Sequence, residues 1–220
     1  MKRFAIFLVF FVSLSFVSQA QMDLGVKAGL NMANLSGDVE DNQMKIAYQV
    51  GVVTNFDLAD AIAFQPGLIL SSKGAQVEST ESLMGVESTV ESTLTLNYLE
   101  LPLNLAYGIE MGGGQLQLIA GPTLSFGLSG TSETTFSAGG ESETDESDVQ
   151  FVGDATDADE NKAPIKSMDY GANLGAGYKT GSIQVQALYG LGFANLNPPV
   201  DGEDPDDTIK NSVIQVAVSY

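Results

Sequence analysis

From Asp23 onward the chain alternates with a period of two, in eight segments separated by connections that are in turn long and short. A period of two belongs to extended strands, whose successive side chains point to opposite faces, and it is incompatible with a helical face. In the first segment Leu24, Val26, Ala28 and Leu30 share one face, and Asp23, Gly25, Lys27, Gly29 and Asn31 the other. The second sets Ile46, Tyr48, Val50, Val52 and Phe56 against Ala47, Gln49, Gly51, Asn55 and Asp57. The third, Ile62 to Ser72, and the fourth, around Leu99, Leu101, Leu103, Leu105 and Tyr107, repeat the pattern. So do the segments through Leu116–Leu128, Met168–Tyr178, Ile183–Phe193 and Ile214–Tyr220.

Each segment has about nine or more residues, enough for a tilted strand to cross the hydrocarbon layer. The connections after segments two, four and six are short and the others long, as expected of a barrel with periplasmic turns and extracellular loops. The face opposite the apolar one is built from Gly, Ala, Ser, Asn and Gln rather than the Lys, Glu and Thr of a soluble sandwich. Small polar groups of this kind fill the lumen of a narrow barrel. Tyr107, Tyr178, Phe193 and Tyr220 fall near segment ends, where aromatic girdles form. The fold class expected is therefore all-β: an eight-stranded antiparallel transmembrane up-and-down barrel with short periplasmic turns and long acidic extracellular loops. Leu94 and Leu96 have the wrong parity for the outward row of the fourth segment, which predicts a β-bulge near Asn97.

Met1-Lys2-Arg3, the apolar run Phe4 to Val17 and Ser18-Gln19-Ala20 have the form of a secretory signal peptide cleaved before Gln21. Residues 1–20 are read as that leader and 21–220 as the barrel domain, placed in the outer membrane after secretion across the inner one. Cysteine is absent, so backbone hydrogen bonding and packing must hold the fold without disulfides. The balance of 28 Asp plus Glu against 9 Lys plus Arg argues against a nucleic-acid surface, which needs clustered cations.

The stretches Phe64-Gln65-Pro66-Gly67-Leu68-Ile69-Leu70-Ser71-Ser72-Lys73-Gly74 and Tyr98-Leu99-Glu100-Leu101-Pro102-Leu103 resemble the PorT-like outer-membrane β-barrel family of Bacteroidetes. Ala120-Gly121-Pro122, Gly171 to Tyr178 and Gly25 to Asn31 extend the likeness over nearly all the segments. The resemblance implies an outer-membrane barrel, with a role in protein secretion for the namesake, and it carries no catalytic set.

Histidine is absent, which removes every Ser-His, Cys-His and His-metal arrangement. Glu100 and Asp169 are the inward candidates for a carboxylate acid-base pair, but charges inside barrels more often pair structurally. The expected structural pair is Lys27 with Glu100, plugging the lumen and leaving no wide aqueous channel. The acidic stretches Glu141–Asp148, Asp154–Glu160 and Asp201–Asp207 read as solvated, mobile loops held extended by like charge. Their sharper reading is a calcium site from Asp154, Asp157 and Asp159 or from Asp201, Asp204 and Asp206, since calcium takes hard oxygen ligands. Neither run has the EF-hand spacing.

The chain thus reads as a non-enzymatic outer-membrane barrel without cofactors, its acidic loops serving surface interaction or envelope integrity. A component of a secretion system and a narrow passage for small hydrophobic solutes are the alternatives. Its expected partners are outer-membrane lipid, the barrel-assembly machinery that reads a terminal strand such as Ile214–Tyr220, and a secretion or surface partner.

Overall fold

The computed structural model describes residues 22–39, 42–83 and 86–220, so the expected signal peptide lies outside the described residues. Among the described residues eleven strands form one sheet. Eight of them close a ring: β1 (Met22–Gly37), β3 (Lys45–Ala59), β4 (Ile62–Leu83), β5 (Val86–Met111), β6 (Gly114–Ala138), β9 (Met168–Thr180), β10 (Ile183–Gly192) and β11 (Ile209–Ser219). Each pairs antiparallel with the next, and β11 returns to β1 with Lys27 opposite Ser219 and Gly37 opposite Ile209. Closure leaves no unpaired edge in the ring, the condition for a sheet surrounded by lipid.

The alternation places side chains as the sequence predicts. Leu24, Ile46 and Tyr220 are 69%, 73% and 71% exposed, and the outward residues of every barrel strand continue the apolar belt around the ring. A continuous apolar band of that extent is far beyond the patch a water-soluble monomer carries, and it marks the lipid-facing zone. The inward neighbours Lys27, Asn31, Gln49, Gln65, Glu100, Gln117, Asp169 and Gln186 are buried. Tight turns at Asp60-Ala61, Gly112-Gly113 and Gly181-Ser182 join the strands at one end. Gly112 and Gly113 adopt φ of 63° and 82°, a region that glycine enters without steric cost.

At the other end the strands overshoot the belt, where mobile loops were expected. The β4–β5 pairing runs up to Leu83 opposite Val86, and β5 and β6 pair up to Ser88 opposite Ala138. The upper part of β6 leaves β9 and pairs instead with β7 (Glu141–Val152), which lies parallel to β8 (Ala163–Lys166). The short β2 (Asn42–Gln43) adds to β4. Glu141–Asp148 is thus part of a strand. The physical reason is the β-branched threonine content and the hydroxyl pairs that bridge neighbouring strands: Thr80 to Thr89 at 3.1 Å, Thr135 to Thr144 at 3.0 Å and Ser137 to Ser142 at 2.9 Å.

The register irregularity falls between Asn97 and Tyr98, where a bulge was expected, but the extra residue is on the partner strand. Tyr98 faces Gly127 and Asn97 faces Ser129, leaving Leu128 unpaired and 56% exposed. Leu96 and Tyr98 both point inward and are fully buried, so β5 keeps its parity throughout. Leu94 and Leu96 were out of step with the outward row because they belong to an apolar cap over the lumen. There Leu35, Ala75, Leu96, Tyr98, Val149 and Leu196 pack together, joined by Phe151 and Ile165 from β7 and β8.

Candidate functional site

The lumen has three levels. Beneath the apolar cap lies a charged layer. Lys73 on β4 and Glu100 on β5 form an ion pair at 2.6 Å, with side chains 7% and 5% exposed. The Lys73 ammonium is 5.3 Å from the centre of the Tyr98 ring and donates to the Ser125 hydroxyl at 3.4 Å. Asp169 on β9 accepts a hydrogen bond from the Asn211 amide at 2.8 Å. The space left among these residues is only about 10 Å³, so the layer is packed.

The expected partner of Glu100 is therefore corrected from Lys27 to Lys73. The third segment was taken to end at Ser72, with Lys73 in a loop, whereas β4 continues through Gly74 at a φ of 132° and turns Lys73 inward. Lys27 feels the charge of Glu100 but makes no ion pair with it. Glu100 and Asp169 do share a layer, as the acid-base reading requires, but with Lys73 between them electrostatically they act as counter-ions of a plug.

Around the charged layer an amide network ties the strands together. Asn31 donates to the Ser71 hydroxyl at 3.0 Å and the Ser72 carbonyl at 2.9 Å, and accepts from Gln49 at 2.8 Å. Towards the short turns, Gln184 donates to Gln117 at 2.7 Å and Gln65 to Asn55 at 2.9 Å. The third level is a cavity of about 610 Å³ among Lys27, Gln65, Asn104, Gln184 and Gln186. A second hollow of about 540 Å³, lined by Asp57, Asp60, Glu110 and Lys179, adjoins it at the turn end.

The structure does not bring either aspartate triad together: among the described residues no group of three or more His, Cys, Asp or Glu side chains is placed to hold a metal. Asp154 shows why. Its carboxylate accepts from the Thr156 backbone at 3.0 Å and hydroxyl at 2.7 Å, and from the backbones of Gly202 at 2.8 Å and Asp201 at 3.3 Å. The Thr156 backbone and hydroxyl, followed by Gly202 and Asp201, hold this exposed carboxyl below its usual pKa. Its lone pairs latch the β10–β11 loop to the 3-10 turn at Ala155–Asp157, a role in which N–H donors replace a cation. Asp157, Asp201, Asp204 and Asp206 stay in the outer loops, and Asp159 pairs with Lys162 at 3.4 Å. Sequence reading missed the latch because an Asp two residues before a Thr signals only a local turn, and the distant Gly202 leaves no trace in spacing.

No curated protein matches the chain. Among solved structures it is similar to Ail, the attachment invasion locus protein of Yersinia pestis, at 11% identity over 90% of this chain and 96% of that one, with a TM-score of 0.36. Neisserial surface protein A is similar at 10% identity, covering 90% and 97% of the two chains, with a TM-score of 0.39. Residues 17–197 match the family described as "Outer membrane protein beta-barrel domain". That match, together with the closed ring and its apolar belt, assigns the chain to the outer membrane protein beta-barrel domain family, and so to the outer membrane.

Proposed function

We propose that the protein is a sealed outer-membrane scaffold that displays an acidic β-sheet at the cell surface for contact with partners, and that it performs no catalysis. The observation that carries this reading is the continuation of β4, β5, β6 and β7 beyond the apolar belt as ordered sheet. Glu78, Glu91, Glu133 and Glu146 stand on it among threonines. A rigid strand platform presents such groups at fixed spacing, which a mobile acidic loop does not. Like-charged carboxylates favour a cationic partner surface, through steering more than through raw affinity. The capped lumen supports display over conduction. Export is by the leader at residues 1–20, and the barrel-assembly machinery inserts the chain.

The test replaces residues 78–91 and 131–148 by short turns and measures cell-surface attachment. Retained barrel folding with lost attachment is expected, and unchanged attachment overturns the reading. A PorT-like role in secretion is the second reading, supported by the likeness of the Phe64–Gly74 and Tyr98–Leu103 stretches to that family. Copurification with secretion components, and a secretion defect on gene deletion, distinguish it from the first.

A further inference from the structure

Buried polar side chains are nearly always hydrogen-bonded, because an unmet donor carries its full desolvation cost. Three that face the cavity at the turn end depart from this. Lys27 on β1, Asn104 on β5 and Gln186 on β10 are 4%, 5% and 7% exposed, and each lines the cavity of about 610 Å³. None of the three has a side-chain hydrogen bond or ion pair with another described residue. The amide and charged groups around them are largely engaged: Gln184 with Gln117, Gln65 with Asn55, and Lys179 with Asp23 at 3.9 Å. Polar side chains without a protein partner therefore line one space from three sides of the ring: the Lys27 ammonium, which carries a charge, the Gln186 amide, and the Asn104 amide, whose buried Oδ1 is an unmet acceptor. Glu100, the carboxylate that acts on Lys27 at longer range, is already paired with Lys73.

We propose that this cavity is a binding site for a small monocarboxylate, held by the Lys27 ammonium with the NH2 groups of the Asn104 and Gln186 amides, and not their oxygens, as further donors. An ionised acceptor answers a lysine more strongly than a neutral one does, and a planar carboxylate offers two oxygens to donors on different strands. The volume suits a molecule of a few carbon atoms with accompanying water. A multiply charged anion is disfavoured by Asp57, Asp60 and Glu110 in the adjoining hollow, where Lys179 is the cation among them. The packed charged layer above makes the site a blind pocket entered from the turn end.

The test is a titration of the refolded, isotopically labelled barrel in neutral maltoside micelles with sodium propionate at constant ionic strength, read by amide NMR shifts. Saturable shifts at Lys27, Asn104 and Gln186 are expected. Lys27→Met should weaken them by about tenfold or more, the scale of a hydrogen bond to a charged group. Sulfate binding as tightly as propionate overturns the carboxylate assignment. Shifts that do not saturate, or that are equal in the Lys27→Met protein, leave a cavity solvated by water alone and overturn the site. If Lys27→Met fails to fold, Asn104→Leu and Gln186→Leu keep the lysine and each remove a donor. Weaker propionate binding in either supports the site, and undiminished binding in both overturns it.

Discussion

At the residue scale the largest energies sit in the lumen, where charge is buried. Removing one member of the Lys73–Glu100 pair strands the other, which costs about 3–5 kcal/mol for a buried pair. Lys73→Met and Glu100→Gln are each expected to destabilise the folded barrel on that scale in urea unfolding, and Lys73→Met with Glu100→Met to recover most of the loss. Equal destabilisation by the double variant and by the singles would show that packing, not charge, is at stake. Asp154 gives a second residue-level expectation. Because its folded pKa is depressed, the latch it makes is fully present above about pH 4, the ordinary carboxyl range, and is lost as pH falls through the lowered value. Hydrogen exchange at the Gly202 amide should accelerate over that window and be fast at every pH in Asp154→Ala. What the sequence revealed here was which residues face inward. It did not reveal the partner of Glu100, because Lys73 looked like loop until Gly74 was seen to continue the strand.

At the scale of the element, the bulge on β6 separates two kinds of deletion. Leu128 is the unpaired residue, so its loss joins Gly127 directly to Ser129 and leaves the partners Tyr98 and Asn97 in register. Loss of Leu124 turns every later residue of the strand to the opposite face. The Leu128 deletion is expected to yield a folded barrel and the Leu124 deletion none, as read by unboiled gel mobility. The extracellular strands carry Glu78 opposite Glu91 and Glu133 opposite Glu146, and like charges directly across a ladder are destabilising. Raising salt from about 0.05 to 0.5 M shortens the screening length and should slow proteolysis of this sheet. Its strands were illegible in advance because Ser, Thr and Glu occupy both faces, with only scattered apolar residues such as Val90 and Phe136. Apolar residues so sparse set up no period of two, although the threonine content was in view.

For the whole molecule, eight strands and three tight turns were legible because lipid on one side and a packed lumen on the other impose alternation at every position between. The cap was not, since it is assembled from Leu35, Leu96, Val149 and Leu196, four residues distant in sequence. A barrel with a packed charged layer beneath such a cap is expected to show no steady conductance in a planar bilayer. Its mobility should differ between boiled and unboiled samples. A chain that conducts readily contradicts the sealed lumen, and one that migrates identically and stays soluble without detergent contradicts the barrel. The seam between β1 and β11 bears on how such a molecule comes into being. Neighbouring hairpins can zip as soon as their own residues meet, but Lys27 finds Ser219 only when almost the entire polypeptide is in place. Ring closure is thus the step of greatest loop entropy, and chains cut short of β11 would be held as open sheets with two hungry edges, in search of a strand from any neighbour.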